Sequence, residues 1–180
     1  MNLFNFREDI VGRDANDKHQ ARLNATTEWF PPWWQEAVAS ALAGAPMGDS
    51  QCATRQYVHN PIAFIGLHQD YTSKVSEYAG KELKPSYCYL VKYQRGSSLD
   101  VHVDREQCEY NVSIMIDCRK WVSSEEGWPL ILGDDLIPHV PGQALIYSGH
   151  TPHGRPPLLF DEATVLFLHY VSKDYVGELS

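Results

Sequence analysis

The stretch Ser98-Leu99-Asp100-Val101-His102-Val103-Asp104 decides how this chain is read. Apolar residues occupy every second position, so it predicts a β-strand with one half-buried face. On a strand, side chains two residues apart point the same way. His102 and Asp104 can therefore hold one object between them. A single His-x-Asp arises easily by chance, so the reading needs a third group. Two histidines follow in Ser148-Gly149-His150-Thr151-Pro152-His153-Gly154-Arg155-Pro156-Pro157. His150 sits by the turn after an apolar run, whereas His153 follows a proline and opens an extended stretch. His153 is favoured over His150 as the third ligand. Two histidines and one carboxylate on one face of a metal ion leave its opposite face open.

Working outward, the chain changes character near Pro85. Beyond it, apolar residues alternate or form short runs, and extended segments are expected at roughly 85–93, 99–105, 109–117, 128–132, 135–140, 143–148, 151–156 and 163–172. Turn signals separate them, including Arg95-Gly96-Ser97-Ser98, Gly133-Asp134-Asp135 and Pro141-Gly142. Before it, the pattern is helical. Pro31-Pro32 opens a helix carrying Trp34, Ala37, Val38, Ala41 and Leu42, with Gly44 as its stop. A second helix is expected after Asn60-Pro61, with Phe64, Leu67, Tyr71, Val75 and Tyr78 as one stripe ending at Gly80. Helices followed by many short strands predict a β sandwich or barrel covered on one side.

The chain has 180 residues and a formal net charge of -8. One domain of this length should bury roughly 70% of its unfolded surface. The negative charge and the lack of a basic stripe argue against nucleic acid as a partner. No signal-peptide pattern and no apolar run of membrane-span length appear. The four cysteines, Cys52, Cys88, Cys108 and Cys118, have neither C-x-x-C nor zinc spacing. They read as reduced, buried thiols of a cytoplasmic protein. A small-molecule or peptide substrate fits better than a nucleic acid or membrane partner.

Tyr93-Gln94-Arg95-Gly96, His102-Val103-Asp104, Pro141-Gly142 and Pro152-His153 follow one another in an order that resembles the core of the Fe(II)/2-oxoglutarate-dependent oxygenases. The likeness covers about residues 83–172 and is nearest to the prolyl-hydroxylase-like branch. Asp104-Arg105-Glu106-Gln107-Cys108-Glu109, His153-Gly154-Arg155-Pro156 and Phe167-Leu168-His169-Tyr170-Val171 look more narrowly like small, uncharacterised bacterial and phage members. The resemblance implies an α+β fold: a double-stranded β-helix (jelly roll) of eight core strands over 85–172, flanked by N-terminal helices in 1–84, in a single domain of residues 1–180. It also implies Fe(II) held by His102, Asp104 and His153, with 2-oxoglutarate and dioxygen as co-substrates and succinate and carbon dioxide as products. The substrate C–H bond that is hydroxylated would belong to an amino acid, a peptidyl residue or a small metabolite. In halogenating relatives a small residue replaces the carboxylate, so Asp104 favours hydroxylation.

The far carboxylate of 2-oxoglutarate needs a buried cationic partner. Most of the family places a basic residue at the start of the last strand, but Phe160-Asp161-Glu162-Ala163-Thr164-Val165 has none. Arg155 is the substitute, two residues beyond His153 and on the same face of a continuing strand. Tyr93 matches a cofactor-bonding position of the family. Tyr89 shares its face with Tyr87 and Tyr93, and contacts either cofactor or substrate, whereas Lys92 has the opposite parity. Asn111 and Ser113, with Met115, form the next inward set and suit a bound acid. Arg105 is a candidate contact for an acidic group on the substrate, or else orients a loop or pairs with Glu106 or Glu109. Trp121–Trp128 reads as a lid or a solvated acidic turn, and Trp29–Trp34 as pocket lining or helix packing. Two other readings compete: a non-catalytic metal-binding jelly roll used for interaction, and a cupin-like metalloenzyme that uses no keto acid.

Overall fold

The computed structural model describes residues 21–24, 32–119 and 127–180. In chain order the described elements are β1 (Ala21–Asn24), α1 (Pro32–Leu42), β2 (Arg55–His59), α2 (Ile62–Asp70), α3 (Thr72–Ala79), β3 (Leu83–Gln94), β4 (Leu99–His102), β5 (Tyr110–Arg119), β6 (Leu130–Leu132), β7 (Asp135–Ile137), β8 (Gln143–Ser148), β9 (His153–Arg155) and β10 (Glu162–Ser172). They form a six-stranded sheet of order β1-β8-β5-β10-β3-β2 and a four-stranded sheet of order β4-β9-β6-β7. Every named strand pair is antiparallel.

Period two explains the layers. On the large sheet, Cys88, Leu90, Val112, Ile114, Leu166 and Leu168 face the helices and pack with Trp34, Phe64, Leu67, Tyr71 and Val75. Residues of the other parity, among them Val91, Tyr93, Met115, Val165 and Phe167, form a second cluster with Trp128 and Leu158. A sheet buried on both faces needs both sets, which is why β10 reads as an almost unbroken apolar run. Pro141-Gly142 is a tight turn into β8. The Gln143 N–H bonds the Val140 carbonyl at 3.0 Å, and Gly142 takes φ 87°, as the third position of a type II turn requires.

The N-terminal region departs from its expected helical cover. It contributes two strands as well, β1 and β2, one at each edge of the large sheet. The helix expected from Pro61 to Gly80 is interrupted at Tyr71, which ends α2 and begins α3. Its stripe survives, with Phe64, Leu67, Tyr71 and Val75 all buried. Its stop also holds: Gly80 is left-handed and the Lys81 N–H reaches the Ser76 carbonyl. Trp34 is buried edge-on against Phe64, so it packs the helix, whereas Trp33 is half exposed. Trp29–Pro31, the loop 121–126 and His19 lie outside the described residues. Among the described residues no helix is long and apolar enough to cross a membrane.

His68 ties the helices to the sheet. Its Nε2–H donates to the His169 carbonyl at 2.8 Å, and the Tyr170 hydroxyl donates to the His68 carbonyl at 2.8 Å. Burial pushes the His68 pKa down to about 4. Between pH 6.5 and 4 the unfolded chain therefore takes up a proton that the folded one refuses, and stability falls as pH falls through that window. In urea titration from pH 7 to 4.5, His68 should account for a loss of about 2–3 kcal/mol. His68→Gln, which keeps a donor but cannot charge, should remove most of it; an unchanged loss would assign the effect elsewhere.

Candidate metal centre

The antiparallel register of β4 and β9 pairs His102 directly with His153. Their rings lie 4.5 Å apart between centroids. β4 ends at His102 rather than continuing to 105, because the Asp104 N–H leaves the ladder and bonds the Gly149 carbonyl at 2.8 Å. Asp104 still turns to the same side. Its Oδ1 lies 3.5 Å from His102 Nε2 and its Oδ2 lies 3.4 Å from His153 Nε2. Each histidine donates its Nδ1–H to the carbonyl two residues earlier, Asp100 at 2.7 Å and Thr151 at 2.8 Å. A carbonyl only accepts, so both rings keep Nε2 as the lone-pair nitrogen, the tautomer a metal needs. The three donor atoms all lie within 4.8 Å of one another, a span that a single ion can bridge. His150 is exposed and takes no part in this cluster.

Burial works against the Asp104 carboxylate, but its contacts with His102 and His153 outweigh it and hold the group well below the usual carboxylate range. The Asn111 Nδ2–H donates to Oδ2 at 2.6 Å, and the His169 Nδ1–H donates to Asn111 Oδ1 at 2.5 Å. Burial pushes the His169 pKa down to about 3, so that ring is neutral.

The three candidate donors line a cleft of ≈ 480 Å³. Arg155 lines it too and is almost fully buried. Its guanidinium donates to the Trp128 carbonyl at 2.7 Å, to the Ser113 hydroxyl at 3.2 Å and to His139 Nδ1 at 2.9 Å, and stacks on the Trp128 ring at 4.7 Å. His139 can accept there because its Nε2–H donates to the Gln143 carbonyl. The planar fork is thus held from several sides before any ligand arrives. Ser113, expected to meet the cofactor, meets Arg155. Asn111, expected in the same role, has its amide engaged by Asp104 and His169.

The tyrosines of β3 do share one face: Tyr87, Tyr89 and Tyr93 all line the cleft. Lys92 has the opposite parity and pairs with Glu162 at 2.7 Å. Tyr93 accepts a hydrogen bond from Arg55 at 3.0 Å, and Tyr89 donates to Asp49 at 2.9 Å. The buried Arg55 forms an ion pair at 2.6 Å with the half-buried Asp49. Sequence reasoning missed this pair because β2 was not expected; the alternation Arg55, Tyr57, His59 was its signal. Arg105 is exposed at the cleft, stacks over Tyr87 and donates to its hydroxyl at 2.9 Å. Glu109, one of its expected partners, binds Lys81 and Ser172 instead.

Gly149 makes the close fit between the Asp104 segment and the loop before β9. A Cβ there would collide with the Cys108 carbonyl and approach Asp104 Cβ to 3.1 Å. Gly149→Ala should cost about 2 kcal/mol and lower Tm by roughly 4–8 °C. A thermal melt within a degree of wild type would show that the loop yields freely.

No protein-family model and no curated protein matches this chain. Solved structures do. A 2OG-Fe(II) oxygenase family oxidoreductase from Burkholderia pseudomallei superposes with TM-score 0.68 at 14% identity, over 92% of this chain and 93% of its own. The viral collagen prolyl hydroxylase of Paramecium Bursaria Chlorella virus-1, solved with 2OG, gives 0.63 at 9% identity over 88% and 98%. HygX from Streptomyces hygroscopicus, with nickel, 2-oxoglutarate and hygromycin B bound, gives 0.66 at 12% identity over 92% and 89%. The chain thus has the jelly-roll fold of the 2-oxoglutarate/Fe(II) oxygenases, and its structural neighbours include prolyl hydroxylases. At such identities the likeness is one of fold, and function has to be argued from the site.

Proposed function

We propose that the protein is an Fe(II)/2-oxoglutarate-dependent dioxygenase that hydroxylates a C–H bond of an amino acid, a peptidyl residue or a small metabolite. The observation that carries this reading is one cleft holding the His102, Asp104 and His153 donors together with the buried guanidinium of Arg155. The donor set, two imidazoles and a carboxylate lining one cleft, would suit Fe(II). When bound, Fe(II) with 2-oxoglutarate and dioxygen supplies the oxidation, yielding succinate, carbon dioxide and a hydroxylated product.

The chain's own residues bind and orient. Asp104 stays ionised at working pH, and its charge offsets that of the metal. The Asp100 and Thr151 carbonyls hold the two imidazoles in their ligating tautomer. Arg155 would receive the far carboxylate of the keto acid, with Tyr93 lining the cleft beside it and Trp128 packed against the guanidinium. Tyr89 and Arg105 lie toward the substrate side, where Tyr57, His59 and Tyr87 add aromatic surface. The buried free cysteines Cys52, Cys88 and Cys108 fit a reducing, cytoplasmic setting.

Anaerobic titration with Fe(II) and then 2-oxoglutarate tests this without a known substrate. A visible charge-transfer band requiring both components, and succinate formation once air is admitted, are expected. A protein that binds Fe(II) yet develops no keto-acid-dependent band would sink the oxygenase reading.

A further inference from the structure

We propose that Asn111 and His169 are positioning residues that hold the Asp104 carboxylate in its metal-binding orientation. The proposal rests on the iron site proposed above. Asn111 is fully buried on β5, with the parity that faces the cleft rather than the helices. The β5–β10 register sets it directly opposite His169. A carboxylate only accepts, so the amide nitrogen of Asn111 must face Asp104, as it does at 2.6 Å. The amide oxygen then has to face His169, whose Nδ1–H donates to it at 2.5 Å. Each link sets the next: the carboxylate orients the amide, and the amide selects the tautomer of His169. Rotating the amide would bring its oxygen against the carboxylate and its N–H against an N–H. His68 closes the arrangement from behind by donating to the His169 backbone carbonyl. A polar side chain so placed in a β core costs stability unless both ends are satisfied, and here both are. Hydrogen bonds of this kind to a ligating carboxylate orient it and tune the metal.

Co²⁺ titration of the intact protein tests the proposal, with affinity and the visible Co²⁺ spectrum as readouts and CD melting of the metal-free protein as the folding control. Wild type should bind one Co²⁺, and His102→Ala should lose it; no binding by wild type would remove the iron site itself and this proposal with it. Given that site, Asn111→Leu should weaken Co²⁺ by about 10–100-fold and alter the spectrum while the protein still melts cooperatively. His169→Leu should weaken it by roughly 3–10-fold, and His169→Asn, which keeps a donor near Nδ1, should restore most of the loss. Wild-type Co²⁺ affinity and spectrum in Asn111→Leu would overturn the proposal while leaving the iron site standing. Equal losses in His169→Leu and His169→Asn would overturn it as well. If Asn111→Leu does not fold, the His169 pair decides alone.

Discussion

Asp104→Gly should abolish metal binding and turnover together, by roughly 10³-fold or more in each. The carboxylate is the only charged member of the donor set, so its removal leaves two neutral imidazoles to attract a divalent ion. It also sits beside both imidazoles, 3.5 Å from one Nε2 and 3.4 Å from the other, so its loss removes the donor that completes the set. Asp104→Asn should lose nearly as much, because it keeps the shape but discards the charge. Calorimetry with Co²⁺ and succinate release read the two effects separately. Lost binding with an intact thermal melt identifies a ligand. Wild-type turnover in the glycine variant would remove Asp104 from the site altogether.

Arg155→Met should raise the 2-oxoglutarate requirement by about 100-fold or more while metal affinity stays within a few-fold of wild type. A charge-assisted, two-point contact between a guanidinium and a carboxylate in a buried site is worth about 3 kcal/mol. Methionine fills much of the same volume but leaves the Trp128 carbonyl, Ser113 and His139 Nδ1 without their donor, so a stability loss of about 1–3 kcal/mol is expected as well, and a thermal melt separates it from the binding defect. Arg155→Lys should rescue poorly. An ammonium cannot reproduce the planar fork that now reaches the Trp128 carbonyl, Ser113 and His139 together. The cleft offers a second buried arginine, Arg55, but the Asp49 carboxylate lies against it at 2.6 Å. If the keto-acid requirement is unchanged in Arg155→Met and rises in Arg55→Met, the far carboxylate belongs at the β2 edge instead.

Much of this architecture was legible because a strand's burial pattern has a short period. The alternation in 98–104 placed His102 and Asp104 on one side, and the same parity argument put Tyr87, Tyr89 and Tyr93 together. Arg155 stands out by its spacing of two from His153 and, through the family resemblance, by the missing basic residue near Thr164; the structure buries it in the cleft. Edge elements were harder. β2 is five residues long and mixes polar with aromatic side chains, so its alternation is too short to stand out. Tyr71 carries the apolar stripe across the break between α2 and α3, so periodicity alone reads one helix there.

The sequence by itself determined the donor types, the spacing of two that sets His102 and Asp104 on one side, and the alternation that forms two buried sheet faces. Those are local properties, set by backbone geometry within a few residues. Only the tertiary structure decided that His102 faces His153, that Asn111 links Asp104 to His169, and that His139 steadies Arg155. Each depends on contacts between residues far apart in sequence. Strand register and sheet order bring those residues together, and a register slip of one residue would turn the same side chains to the opposite face.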